Sequence, residues 1–588
     1  MPPHAMRPTK GFLLVLIKPS HYDDDGYVIQ WIRSAIPSNT LAVLNGLALD
    51  CAERRVLGED VPITVDLYDE TNTVISVPSI IRKMKGYAAG MVGLVGVQTN
   101  QFPRAVDVAE QFRRADIPVV IGGFHVSGCV AMLPKLPRDI EAAGEKGISL
   151  FAGEAEGHLD EVLRDAYQGT LKPLYNFLNE GRSIEGAPPP FLPVDIVKNT
   201  FRRLSSFDGG RGCPFQCSFC TIINVQVRTS RYRSADDVEQ IIRANLQQGV
   251  GRFFITDDDF ARNSNWEAIL DRCIQLREQE GLVISFTAQV DVGAYRIPRF
   301  VEKCARAGCN NIFIGLESLN PYSLAGAKKR QNKIWQYRKM LQVWKDHGCT
   351  TVAGYILGFP TDTPESIARD IEIIKTELPL DGLEFFCLTP LPGSEDHRTH
   401  VERGAWIEPD MNKYDLEHIT MDHPRMSKEE WKQVYRNAWR QYYTDEHVER
   451  VLRRAAVKKQ DIYKVMFLLL CLGGSIALEG IHPLEAGMFR RKVRTLRRPG
   501  MPLENPLIFY PRRVWEILSL SIRWPSLVWK HFRILWRVQA QPELPGDVDL
   551  AMVPAGEQKD EDLTLLQVYR DALPPSYIPV ETLTSVRR

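Results

Sequence analysis

Short apolar runs alternate with amphipathic stretches over two separate regions of the 588-residue chain. In residues 11–165, Phe12–Ile17, Ile63–Tyr68, Met91–Val97, Ile117–Ile121 and Ile148–Phe151 read as strands. Leu41–Val56, Ala105–Arg114 and a segment from about His158 read as helices between them. Apolar strands separated by amphipathic helices predict a doubly wound, five-stranded parallel sheet of Rossmann type, covered on both faces. Ligands of such sheets sit outside the carboxyl ends of the strands. Here those ends are Lys18–His21, Gln98–Asn100, Gly122–His125 and Gly153–Gly157. The paired Gly122 and Gly123 let a bulky ligand approach the backbone.

Residues 166–200 read as a linker, stiffened by Pro188-Pro-Pro-Phe-Leu-Pro193. The second alternating region, residues 201–395, offers strands at Leu204–Phe207, Arg252–Thr256, Val283–Thr287, Asn311–Gly315, Val352–Leu357 and Leu383–Leu388. Helical stretches such as Ala235–Gln248 and Pro298–Ala307 lie between them. Six βα units predict a partial, TIM-like barrel with its chemistry at the strand carboxyl ends. Residues 396–538 read as a helical extension, with Ser427 and Glu430 as a capping box. From residue 539 to 588 prolines and acids dominate, and a poorly packed tail is expected.

Charge narrows the choice of partners. Lys plus Arg and Asp plus Glu both number 73, so no global field favours nucleic acid. Eleven cysteines are too few for a disulfide scaffold of this length. Met1–Lys10 has no signal-peptide core. The longest apolar run, Val465–Leu478, falls short of the ~20 residues that span a bilayer. A cytoplasmic chain with reduced thiols is expected.

The sharpest motif is Arg211-Gly-Cys-Pro-Phe-Gln-Cys-Ser-Phe-Cys220, which follows a strand. Cys213, Cys217 and Cys220 on one tight loop can hold three irons of a 4Fe-4S cubane and leave the fourth open. Structural zinc is the alternative, but it normally takes four protein ligands. No fourth cysteine or histidine lies nearby in sequence.

With this loop the chain resembles the radical S-adenosylmethionine (SAM) superfamily. The resemblance implies that Phe219 contacts adenine. It implies that Asp257 and Asp258, after the second barrel strand, meet the methionine amino group. It places Glu317 in the barrel mouth, and Gly354 and Gly358 in an adenine-binding segment, although tight packing alone would also explain the two glycines. It further implies that SAM chelates the open iron and is cleaved to a 5′-deoxyadenosyl radical, with the electron coming from a donor such as flavodoxin or ferredoxin. No residue can be assigned a catalytic acid–base role from the sequence.

The α/β region before the barrel resembles that of the cobalamin-binding class of this superfamily. The resemblance implies cobalamin contacts at Gly122, Gly123, His125, Gly153 and Glu154. The D-x-H-x-x-G signature for a lower-face histidine is missing, since His21 is followed by Tyr22-Asp-Asp-Asp-Gly26. Methylthiotransferases, which also join an α/β domain to a radical barrel, carry three further cysteines there. This region has only Cys51 and Cys129. The implied reaction is methyl transfer to an unactivated carbon of an apolar or biosynthetic small molecule. A radical cyclisation or rearrangement, and a non-catalytic iron–sulfur or cobalamin sensor, are the alternatives.

Between Arg490 and Arg537 stand 12 Lys or Arg against Glu504 and Glu516, interleaved with Trp515, Trp524, Trp529 and Trp536. A helical cap on the barrel and a peripheral surface on the inner face of a membrane both fit this pattern. Nucleic acid fits less well, because no recognition module is visible.

Overall fold

The computed structural model describes residues 9–541, 549–553, 563–565 and 567. Met1–Pro8, and with them most of the segment examined for a leader, lie outside the described residues.

All five strands expected in the first region form. They are β1 (Thr9–Lys18), β3 (Ile63–Asp69), β4 (Tyr87–Leu94), β5 (Val119–Gly122) and β6 (Ser149–Ala152), with β2 (Gln30–Ser34) outside this sheet. A sixth, β7 (Leu174–Asn176), pairs in parallel with β6 from within the stretch read as a linker. It has only three residues, too few for a periodic signal. The spatial order is β3-β1-β4-β5-β6-β7. All neighbours pair in parallel and the order of strand addition reverses about β1, so a crevice opens beyond the carboxyl ends of β1 and β4. Each face of the sheet has its own core. Leu13, Val15 and Ile17 pack on one side, and Phe12, Leu14 and Leu16 on the other. Burial on both faces explains why β1 reads as an unbroken apolar run.

The second region forms a six-stranded parallel sheet in sequential order. Its strands are β8 (Ser205–Phe207), β11 (Arg252–Ile255), β12 (Ser285–Val290), β13 (Cys309–Glu317), β14 (Thr350–Leu357) and β15 (Gly382–Cys387). Between β8 and β11 a ribbon of β9 (Gly210–Arg211) and β10 (Arg231–Tyr232) brackets the cysteine loop. In register, Gly315 pairs with Gly354, and Gly354 with Glu384. These three therefore share one layer of the sheet's inner face. On the outer face Phe385 meets Trp439 of the helix Lys428–Tyr442, ring centroids 5.3 Å apart, which covers the β15 edge. That helix opens on the expected Ser427–Glu430 capping box.

Helices Asp445–Val457, Ile462–Gly474 and Pro506–Ala540 follow. The helical stretch Ile462–Glu479 is long and apolar enough to cross a membrane by length and composition. Its Val465 and Leu469 nevertheless pack into a core with Val451, Leu452 and Leu535. The chain then returns to the first region, where β16 (Gly487–Arg491) pairs antiparallel with β2. Part of the stretch expected to pack poorly is fixed. Asp549 forms a buried ion pair with Arg454 at 2.7 Å, and Glu377 accepts the Thr564 and Leu565 N–H groups at 2.9 Å each. The rest of that tail lies outside the described residues.

Candidate active site

The cysteine loop crosses the carboxyl end of the second sheet. Cys217 is buried, while Cys213 and Cys220 are half-buried. Burial pushes the Cys213 and Cys220 thiols up to about 12. Without a nearby cation they hold their protons, and a cationic iron centre reverses that preference. Among the described residues no three His, Cys, Asp or Glu side chains converge tightly enough to hold a single ion. Three thiols on one loop match a cubane that leaves its fourth iron open, whereas structural zinc normally takes four protein ligands.

The acidic run divides its work. Asp257 is buried and satisfied within the protein. Its Oδ1 accepts the Gly209 N–H at 2.6 Å and its Oδ2 accepts the Asn263 amide at 3.0 Å, which ties the approach to the cysteine loop to the end of β11. Burial pushes Asp257 up to about 7. Asp258 is pushed up to about 7 by burial and then by the charge of Asp257. Its charge acts on both Cys213 and Cys220, and that of Asp259 acts on Cys213 as well. Asp259 accepts the Asp291 N–H at 3.3 Å.

On the opposite wall Glu317 ends β13 in a left-handed backbone conformation, φ +64°. A non-glycine residue held there stores strain of a kind that collects at functional sites. Its carboxylate pairs with Lys329 at 2.6 Å. Burial opposes the Lys329 charge, but the Glu317 carboxylate outweighs it and holds the lysine pKa above its ordinary value. Lys329 Nζ lies 5.7 Å from the Phe219 ring centroid, and Phe219 meets Phe359 edge-on at 6.3 Å. Phe219, Glu317, Lys329 and the Gly358 turn therefore form one wall beside the thiols.

Gly358 adopts φ +102°, and a Cβ there would collide with the Trp431 indole at 1.8 Å. Asp362 accepts the Gly358 and Phe359 N–H groups at 3.0 and 2.9 Å and so fixes the turn. Gly354 faces the barrel interior, with Phe313 and Phe386 both just over 3 Å from where its Cβ would be. Close packing thus accounts for both glycines in the protein alone.

Where the two regions meet, a cavity of about 190 Å³ is lined by Gly96, Gly122, Gly123, Gly153 and Glu154 from the first sheet. Arg211, Val225 and Gln226, which flank the cysteine loop, close its other side. Gly123 has φ +148°, and its missing Cβ would lie 2.2 Å from the Val97 nitrogen, so only glycine fits. Glu154 also holds the regions together. It pairs with Arg231 at 2.7 Å and Arg211 at 3.4 Å, while Glu156 takes Arg211 at 2.7 Å. His125 is buried but does not line this cavity. Its Nε2 meets Asp139 at 2.8 Å, and its ring packs on Phe102. His21 is engaged with Glu485 at 3.2 Å.

Sequence reasoning passed over Arg211, Lys329, Asp362 and Glu384. Arg211 stands inside the quoted motif, and Glu384 interrupts an apolar strand, which is itself a signal. Lys329 and Asp362 lie in polar runs with no distinguishing pattern.

This arrangement defines a class: residues 209–374 match the model of the radical SAM superfamily, and the chain carries a radical SAM domain. Methyltransferases lead the relatives, and an anaerobic magnesium-protoporphyrin IX monomethyl ester cyclase of Rubrivivax gelatinosus matches more weakly, 22% identical over 319 residues, covering 50% of this chain and 54% of that protein. Bacteriochlorophyllide d C-12(1)-methyltransferase of Chlorobaculum tepidum is 27% identical over 338 residues, covering 55% of this chain and 68% of that protein. Among solved structures, the radical SAM methyltransferase TsrM of Kitasatospora setae, with cobalamin and a [4Fe-4S] cluster bound, has a TM-score of 0.51 at 16% identity. It covers 74% of this chain and 86% of that one. The cobalamin-dependent radical enzyme OxsB, with aqua-cobalamin bound, has a TM-score of 0.50 at 14% identity over 96% of this chain and 84% of that one. The fold is the one these enzymes share.

Proposed function

We propose that this protein is a cobalamin-dependent radical SAM enzyme that methylates an unactivated carbon of an apolar or biosynthetic small molecule. The observation that carries the reading is the shared cavity. The glycine-lined crevice of the first sheet is closed by residues on both sides of the cysteine loop, which supports a corrinoid site beside a SAM site. Cys213, Cys217 and Cys220 would hold the cluster, and Gly122, Gly123, Gly153 and Glu154 would border the cobalamin. When bound, the cluster supplies the electron that cleaves SAM, and cobalamin carries the methyl group.

The chain's own residues bind, orient and exclude water. Asp258 receives the methionine ammonium, which would return its carboxyl to the charged form. Phe219 and Phe359 offer faces to adenine. The Lys329–Glu317 pair is a ready partner for carboxylate and hydroxyl groups of SAM. His125 and His21 are already engaged, which supports a cobalamin without a protein histidine on its lower face. The neighbour TsrM has been solved with a tryptophan substrate bound, which supports a small-molecule substrate here. A reduced flavodoxin or ferredoxin would deliver the electron in the cytoplasm, and the C-terminal helix is the part offered to a membrane surface.

The test is anaerobic turnover of the reconstituted protein with cobalamin, SAM and a reductant. 5′-Deoxyadenosine and S-adenosylhomocysteine should both accumulate. 5′-Deoxyadenosine alone would point to cyclisation or rearrangement, and neither product would point to a sensor.

A further inference from the structure

The helix Pro506–Ala540 is docked by one narrow face. Phe509, His531, Ile534, Leu535 and Val538 are buried, and the last three of these join the core made by the two preceding helices. The opposite face is apolar and open to solvent. Leu507 is 82% exposed, Trp515 and Ile522 are each 72% exposed, and Trp529 and Trp536 are 57% and 50% exposed. With Leu518 these recur at helical spacing and fall on one stripe of roughly 100°. A surface helix of a soluble protein normally shows charge on that side.

The charges stand beside the stripe instead. Arg523, Lys530, Arg533 and Arg537 follow one flank, Lys530 and Arg537 also reaching Asp445 at 2.7 Å and Glu449 at 2.9 Å on the neighbouring helix, and the helix itself holds six Lys or Arg against Glu516 alone. Glu516 is itself paired with Arg513 at 2.8 Å. Exposed tryptophans on an apolar stripe with a basic flank suit the headgroup region of an anionic bilayer. A second copy of the chain suits them less, because two such helices would bring their basic flanks together.

We propose that this helix lies along an anionic lipid surface with its outward stripe in the interface. The helix also lines, with Leu527 and His531, a cavity of about 980 Å³ that extends to Tyr435 and Trp439. The Tyr435 hydroxyl and the Trp439 indole N–H are buried there beside one another, with no other side-chain or backbone partner among the described residues. Docking therefore brings that cavity to the lipid, and the substrate class becomes a membrane-resident apolar molecule with a polar group. This last step rests on the methyltransferase reading, whereas the docking itself does not.

The experiment is co-sedimentation of the full chain with phosphatidylcholine vesicles, with and without phosphatidylglycerol, at low and high salt. Tryptophan quenching by brominated acyl chains is read in parallel. Salt-sensitive binding to the anionic vesicles and strong quenching are expected. Trp515→Ser/Ile522→Ser/Trp529→Ser should lose at least tenfold in binding while keeping its circular dichroism melt and its SAM cleavage. Arg523→Gln/Arg533→Gln/Arg537→Gln should remove the preference for anionic lipid. Wild-type protein left in the supernatant with both lipids, or no quenching, would overturn the proposal. So would a concentration-dependent dimer that the apolar triple variant abolishes, which would assign the stripe to a second copy. Vesicle binding without SAM cleavage would leave the docking standing and sink the enzymatic reading.

Discussion

Glu384→Gln tests whether the interior of the barrel is dry at the layer where Gly315, Gly354 and Glu384 align. The Glu384 side chain is buried on a strand of apolar neighbours, and its Oε2 has no hydrogen-bond partner among the described residues. Burial alone pushes its pKa from 4.5 up to about 8. The folded protein thus binds a proton across this window that the unfolded chain has released. The stabilising contribution is complete below pH 4.5 and is lost as the pH rises through about 8. At about 1.4 kcal/mol for each tenfold in proton affinity, the loss has an upper bound of about 5 kcal/mol. Gln has nearly the same shape and does not titrate. The two proteins should therefore unfold alike near pH 5, and the variant should be the more stable at pH 9 by a good part of that amount. Urea unfolding of the cluster-free proteins, followed by near-UV circular dichroism across this range, reads the difference directly. Parallel stability profiles from pH 5 to pH 9 would show a solvated carboxylate and refute the reasoning.

Cys217→Ala should abolish iron incorporation and SAM cleavage while leaving the first sheet folded, as judged by iron analysis and circular dichroism. Gly123→Ala forces a Cβ against the Val97 backbone and should cost about 1–3 kcal/mol locally. Its clearest sign should be loss of bound corrinoid with SAM cleavage retained, measured by the visible spectrum of protein purified with excess hydroxocobalamin. Lys329→Met leaves Glu317 without its partner in a mostly buried site, which is worth about 3–5 kcal/mol where desolvation is complete. SAM affinity, measured by calorimetry on the reconstituted protein, should fall by at least tenfold. Lys329→Arg should recover part of it.

The two parallel sheets were legible because burial on both faces writes most of their strands as short apolar runs between amphipathic helices, whereas the order β3-β1-β4-β5-β6-β7 was not. β2 and β16 were not, because Gln30–Ser34 and Gly487–Arg491 pair across more than 400 residues and carry polar side chains. The cysteine loop was legible because its chemistry is local, three thiols within one turn of chain. The rest of the site is built from distant contacts. The Trp431 indole explains Gly358, and Glu154 reaches Arg211 and Arg231 across the two regions. Such pairings leave no mark in a single sequence. His125 shows the converse, since a histidine beside a glycine pair at a strand end suggests a ligand, but its ring is already bonded to Asp139.

The central claim is that methyl transfer and radical cleavage of SAM occur on one chain. The most direct measurement supplies the reconstituted protein, anaerobically and with cobalamin, with SAM deuterated in its methyl group and an apolar extract of the source cells. Products are then compared by mass spectrometry. The account predicts a new product carrying the intact deuterated methyl group, formed together with 5′-deoxyadenosine that has gained hydrogen from the substrate. A substrate transformed without the label, with 5′-deoxyadenosine as the sole SAM product, would contradict it.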